Sequence, residues 1–149
     1  NLREQMTFFA LDAASAQGRD GSDLSRHVQL IENTKIDHLK FLESVTNAIS
    51  GQGDATAAGL SDHHQCRLGK WYDTVTDTTV RSSPHFSALL DPHASFHDLG
   101  HQALAAHEAG DAAEAKHLLS ELTAQSRTVL THLDQLAADV RARMRSRAA

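Results

Sequence analysis

The chain has 149 residues, one cysteine, eleven histidines and a formal net charge of −5. That length gives one domain core enough to fold without disulfide staples, and a single cysteine closes no internal bridge, as suits a reducing compartment. The acidic balance argues against nucleic acid or an anionic membrane as partner, and Arg141, Arg143, Arg145 and Arg147 read as a favourable helix C-terminus.

No apolar run is long enough to span a bilayer, and the N-terminus lacks the pattern of a signal peptide. The chain is therefore expected to be cytoplasmic. Because it starts at Asn1, it is expected to be a soluble piece of a longer protein, with the output activity in the remainder.

In chain order, Met6, Phe8, Phe9 and Leu11 precede "AQGRDGSD" and suggest a short helix and linker over residues 1–24, ahead of a domain over 25–149. Ile31, His38, Phe41, Val45 and Ala48 then recur at helical spacing, which places His38 on an apolar stripe. Gly51-Gln-Gly53 ends that helix and opens a loop to about Asp62. Leu68, Trp71, Tyr72 and Val75 predict a short helix starting near Cys66, while "TVTDTTV" is rich in β-branched residues and is locally compatible with extended chain.

Ser83-Pro84 is a helix start, and Phe86, Leu90, His93, His97 and Leu104 form its stripe up to Gly110. Asp111 caps the last helix, where Leu118, Leu122, Val129, Leu133, Leu136 and Val140 keep a seam over about 30 residues. The expected fold is an all-α, antiparallel four-helix bundle with an added short helix and loop segment.

His93 and His97 project from one helix face, a common chelating arrangement that is weak evidence by itself. A lone inward His38 is ordinarily satisfied by a carbonyl, and a lone buried cysteine is ordinarily inert. Together, however, three inward imidazoles need a shared partner. A zinc ion with Cys66 as its thiolate supplies one, giving a closed tetrahedral shell of three neutral imidazoles and one thiolate in the bundle core. His97 and His101 are an equally spaced pair, so spacing alone leaves the choice of histidines open.

His38 with Phe41 following, then Cys66-Arg-Leu68-Gly69-Lys-Trp71, then His93-Ala-Ser-Phe96-His97-Asp-Leu-Gly100, resembles the chemoreceptor zinc-binding (CZB) domain over about residues 25 to 110. The resemblance implies a zinc-binding sensory module of bacterial chemoreceptors or diguanylate cyclases, usually cytoplasmic and often dimeric. It implies one Zn2+ per chain on His38, Cys66, His93 and His97, and it favours His93 with His97 over the His97 and His101 pair. It further implies that Cys66 responds to oxidants such as hypochlorous acid, or the site to zinc availability. The expected partners are a second copy of the chain and the output domain of the parent protein.

His63 and His64 can serve as substitute ligands but are expected to face solvent. His27, His85, His101, His107, His117 and His132 are expected at the surface or behind the ligands, with His101 the best placed of these; the roles of Asp37 and Asp98 are open. A hydrolase would need an open metal position and a general base, and no His-Glu-x-x-His motif is present. A hemerythrin-like di-iron bundle is faintly suggested by the His38 to Glu43 spacing but lacks the matching carboxylates. A purely structural zinc clamp for dimerisation is the other alternative.

Overall fold

The computed structural model describes residues 15–148, with side chains from 23 to 146. It contains α1 (Ser15–Ile49), α2 (Arg67–Thr74), α3 (Thr78–Arg81), α4 (Pro84–Glu108) and α5 (Ala112–Ala148). The expected all-α bundle is formed by α1, α2, α4 and α5, with α3 as a short extra segment. No described helix is long and apolar enough to cross a membrane.

The helix ends follow their sequence signals. Gly51 and Gly110 both adopt φ of 83°. After α1, Gly51 N–H donates to Ala48 and Gln52 N–H to Asn47; after α4, Gly110 N–H donates to His107 and Asp111 N–H to Ala106. Each is the paired-bond ending that a left-handed residue after a helix permits. Ser83 caps α4 by accepting from His85 N–H, with Pro84 at the first helical position. Asp111 accepts from Glu114 N–H at 3.1 Å and caps α5.

α5 is the central support, packing against both α1 and α4. Arg141 reaches Glu32 at 2.7 Å and Lys35 pairs with Asp134, so α1 and α5 run antiparallel. Ser83 donates to Asp139 and Gln125 to the Pro92 carbonyl, so α4 and α5 are antiparallel too. Hence α1 and α4 run parallel, and the chain between them must travel back along the bundle. The loop after α1, with α2 and α3, makes that return and brings Cys66 beside α1 and α4.

The core holds Ile31 and Val45 from α1, Phe86, Leu89, Phe96 and Leu104 from α4, and Leu122, Val129, Leu133, Leu136 and Val140 from α5, all buried. Two details differ from the sequence reading, the start of α1 and the buried stripe of α4. Helix α1 already includes "AQGRDGSD", because Gly18 and Gly21 weaken a long helix without stopping it. The expectation for Met6, Phe8, Phe9 and Leu11 lies outside the described residues. The "TVTDTTV" stretch is locally extended at Val75 and Asp77, as its composition allows, and Asp77 then accepts from Thr79 and Val80 N–H and starts α3. On α4, Leu89 is buried and Leu90 is 41% exposed. The buried arc centres between His93 and Gly100, and at ~100° per residue Leu89 falls inside it while Leu90 passes its edge.

Candidate metal centre

Helix α1 supplies His38, α4 supplies His93 and His97 from successive turns, and the N-cap of α2 supplies Cys66. One donor atom from each of the four lies within 4.8 Å of the others. The three histidines are buried and Cys66 is half-buried. The ring centroids of His38 and His93 are 5.0 Å apart, those of His93 and His97 4.9 Å, and those of His38 and His97 5.6 Å. Interplanar angles of 74°, 80° and 84° mean that the rings converge edge-on instead of stacking.

The far sides of the rings define the near sides. His38 Nδ1 donates to the Thr34 carbonyl at 2.6 Å, and His97 Nδ1 donates to the Ser61 carbonyl at 2.9 Å. A carbonyl only accepts, so each Nδ1 carries the proton and each Nε2 presents a lone pair. Both Nε2 atoms are buried without a hydrogen-bond partner. His93 Nε2 lies 3.3 Å from Cys66 Sγ. Two buried lone pairs facing a third imidazole and a sulfur leave an electron-rich centre that a divalent cation fits and a further hydrogen-bond acceptor does not.

Cys66 is held by its own helix. Its backbone is extended, and Sγ accepts from Gly69 N–H at 3.4 Å. A Cβ on Gly69 would fall 1.7 Å from the His63 carbonyl oxygen, so only glycine lets the preceding loop fold onto α2. This close approach is the reason for glycine here. Phe41 and Phe96 wall the site, with the Phe41 ring 4.6 Å from that of His97 and the Phe96 ring 5.3 Å from that of His38. A Cβ on Gly100 would meet the Phe41 ring at 2.5 Å, so that glycine admits the wall.

Burial sets the protonation of the centre. Desolvation pushes His93 down to about 2 and His97 down to about 4, with the neighbouring imidazoles adding to it, and it also lowers His38. The three histidines are therefore neutral at physiological pH, the form in which an imidazole can ligate a metal. Burial pushes the Cys66 thiol up, and the N–H groups of Gly69 and Leu68 offset part of that rise. The chain without metal thus carries a thiol, which would have to lose its proton to serve as a metal ligand.

The other candidates are distributed around this cluster. His101 Nε2 donates to the Ser61 carbonyl at 3.1 Å, sharing the acceptor of His97, so it stands behind that ring. His64 is exposed and pairs with Asp73, as expected, whereas His63 is half-buried, contrary to expectation. His27 accepts from the Trp71 indole at 3.0 Å. His107 and His117 are exposed, as is Asp98. His85 and His132 face each other across α4 and α5, each with a buried Nδ1 that has no partner. Asp37 is engaged by Arg67. Glu43 is exposed and outside the cluster, which contains no carboxylate.

Sequence reasoning missed the carbonyls of Thr34 and Ser61. The first is available to any histidine four residues on in a helix; the second comes from a loop and leaves no trace in residue types.

The family model described as "chemoreceptor zinc-binding domain" matches residues 38–104. Comparison with curated proteins and with solved structures found no match. The matched segment begins at His38 and includes Cys66, His93 and His97, and it supplies every donor of the cluster. Residues 38–104 are therefore similar to the chemoreceptor zinc-binding (CZB) domain over the segment that holds all four donors.

Proposed function

We propose that the chain is the zinc-dependent sensory unit of a bacterial signalling protein, a chemoreceptor in the first instance, with Zn2+ held by His38, Cys66, His93 and His97. The carrying observation is the convergence of three imidazoles and one sulfur, with two buried ring nitrogens lacking any partner. A soft thiolate with imidazoles and no carboxylate favours zinc over a carboxylate-bridged iron pair. Four protein ligands leave no open position for a hydrolytic water. Residues 25–149 form the sensory domain in this reading, residues 1–24 join it to the parent chain, and the output domain lies elsewhere in that protein.

Zinc, when bound, supplies the Lewis acidity that keeps Cys66 as a thiolate at neutral pH. The Cys66 thiolate then attacks hypochlorous acid, which is reduced: the sulfur takes up the OH group, becoming a sulfenic acid, and chloride leaves. Two electrons pass from sulfur to the oxidant, and charge balances as one anion on each side. Sulfur donation falls, and the turn from Cys66 to Trp71 is released from its place on α1. Depletion of zinc acts on the same turn by removing what holds Cys66 to the histidines. A second copy of the chain is the partner, and the exposed apolar Ile36 and Leu39 on α1 support that reading.

Zinc is measured in chain purified with a competing chelator. The native chain should hold one ion, His93→Ala should hold none, and His101→Ala should keep it. Hypochlorous acid at one equivalent should then modify Cys66, followed by mass spectrometry, with a change in helicity that Cys66→Ser does not give. Retention of zinc by His93→Ala would overturn the ligand set. Oxidation of methionines with Cys66 intact would leave zinc as a structural clamp.

A further inference from the structure

Beside the four donors stands a fifth imidazole. The ring of His63 lies 5.9 Å from that of His93, at an interplanar angle of 86°. The longest ring spacing inside the cluster is 5.6 Å, so His63 stands just outside a distance that two members already span. A charge on His63 bears on both His93 and His97, lowering each.

What holds His63 is its backbone. Its carbonyl packs against Gly69 and lies 3.9 Å from Cys66 Sγ, so His63 and Cys66 ride on one turn seated on α2. The ring is held less firmly. Its contacts are the rings of His64 and His93, and no hydrogen bond to a described residue engages it. His101, the other histidine near the cluster, is committed to the Ser61 carbonyl. A histidine side chain turns about two bonds, so its imidazole can change direction while the main chain stays in place.

We propose that His63 is a reserve ligand: when Cys66 ceases to donate, the His63 imidazole takes its place beside His38, His93 and His97. This rests on the zinc reading above. The donor set changes from three nitrogens and one sulfur to four nitrogens, and the cation is retained. The formal charge of the shell rises from +1 to +2, because a neutral imidazole replaces a thiolate. Loss of the thiolate is then a change of ligand instead of a loss of metal. The site resets when two equivalents of a small-molecule thiol reduce the Cys66 sulfenic acid to the thiol, joining as a disulfide with water released, and no new ion need be captured.

Zinc affinity is measured by competition with a chromogenic chelator in the native chain, His63→Ala, Cys66→Ala and the double variant. His63→Ala should leave the native affinity nearly unchanged, whereas in the Cys66→Ala background it should weaken binding by about tenfold or more. X-ray absorption of the zinc-loaded Cys66→Ala chain should show four imidazoles, and the double variant three imidazoles and an oxygen. His63→Gln, checked for native helicity, repeats the comparison with a side chain of similar size. Equal effects of the His63 substitution in both backgrounds, or none in either, would overturn the proposal. Failure of the zinc reading itself would appear as a native chain that holds no zinc, whatever stands at position 63, and the proposal would fall with it.

Discussion

Arg67 grips Asp37 with two parallel bonds, Nε to Oδ2 and Nη2 to Oδ1, each 2.8 Å long. Each partner adjoins a donor of the cluster, Arg67 following Cys66 and Asp37 preceding His38. The guanidinium holds the Asp37 carboxyl below its usual range. This forked pair fixes α2 against α1 beside the metal centre, and the Trp71 indole bonded to His27 fixes the next turn. Arg67→Ala should therefore loosen α2 locally without unfolding the bundle. Amide exchange at Leu68 to Trp71 in the metal-free chain should accelerate a few-fold, while the α5 amides stay protected. An unchanged exchange rate in α2 would show that the pair is only a solvated contact.

Two glycines separate the geometry of the site from that of the fold. Gly69→Ala places its Cβ on the His63 carbonyl, a backbone atom that cannot step aside as a flexible side chain would. Overpacking of this kind costs about 1 to 3 kcal/mol. It should also weaken metal binding, because the displaced turn carries Cys66. Gly51→Ala meets open space but keeps φ of 83°. It should cost about 1 to 2 kcal/mol through left-handed strain alone, with metal affinity unchanged. Urea midpoints of metal-free protein, set beside zinc affinities, check both; equal metal affinities in the two variants would contradict the assignment of Gly69.

What the sequence disclosed depended on how local the determinant is. His38 is legible because Ile31, Val45 and Ala48 repeat on its own helix, and His93 with His97 because one helix face carries both. Cys66 was recognisable through Leu68, Gly69 and Trp71 around it. By contrast, Leu90 satisfied the α4 spacing as well as Leu89 did, and only the placement of α1 and α5 decides which of them is covered. The Ser61 carbonyl was illegible because it reaches His97 across 36 residues through main-chain atoms that every residue shares. His63 looked like a solvent-facing loop residue until the closeness of its backbone to Gly69 placed it beside the cluster.

Self-association should run through α1. Ile36 and Leu39 are 54% and 50% exposed, three residues apart and thus on one face. Light scattering at tens of micromolar should report a dimer for the native chain and a monomer for Leu39→Glu, with zinc content unaltered in both. A dimer that survives Ile36→Glu combined with Leu39→Glu would move the interface elsewhere.

Acid should destabilise the metal-free chain well above the range of its carboxylates. His93 and His97 are pushed by burial to about 2 and about 4, and His38 is lowered from 6.5 by the same cause. Once unfolded, all three titrate near the ordinary value of ~6.5. Below that pH the unfolded chain takes up protons that the folded chain refuses, so stability falls with falling pH; above it, both states are neutral and the effect vanishes. Between pH 6.5 and 5.5 the loss is about 1 kcal/mol for each of His93 and His97, and His38 adds to it in the same direction. Other shifted groups act outside this window. Asp37 and Glu32 are held below the ordinary carboxylate range by their basic partners, and burial raises Cys66 above the ordinary thiol value. Urea midpoints of chelator-treated protein at pH 7.5, 6.5 and 5.5 measure the slope. It should be shallow over the first interval and about threefold steeper over the second, and His93→Gln should remove about 1 kcal/mol of the second drop. A chain equally stable at all three values would mean that the imidazoles are hydrated, and the buried, unpartnered nitrogens that define the metal centre would lose their meaning.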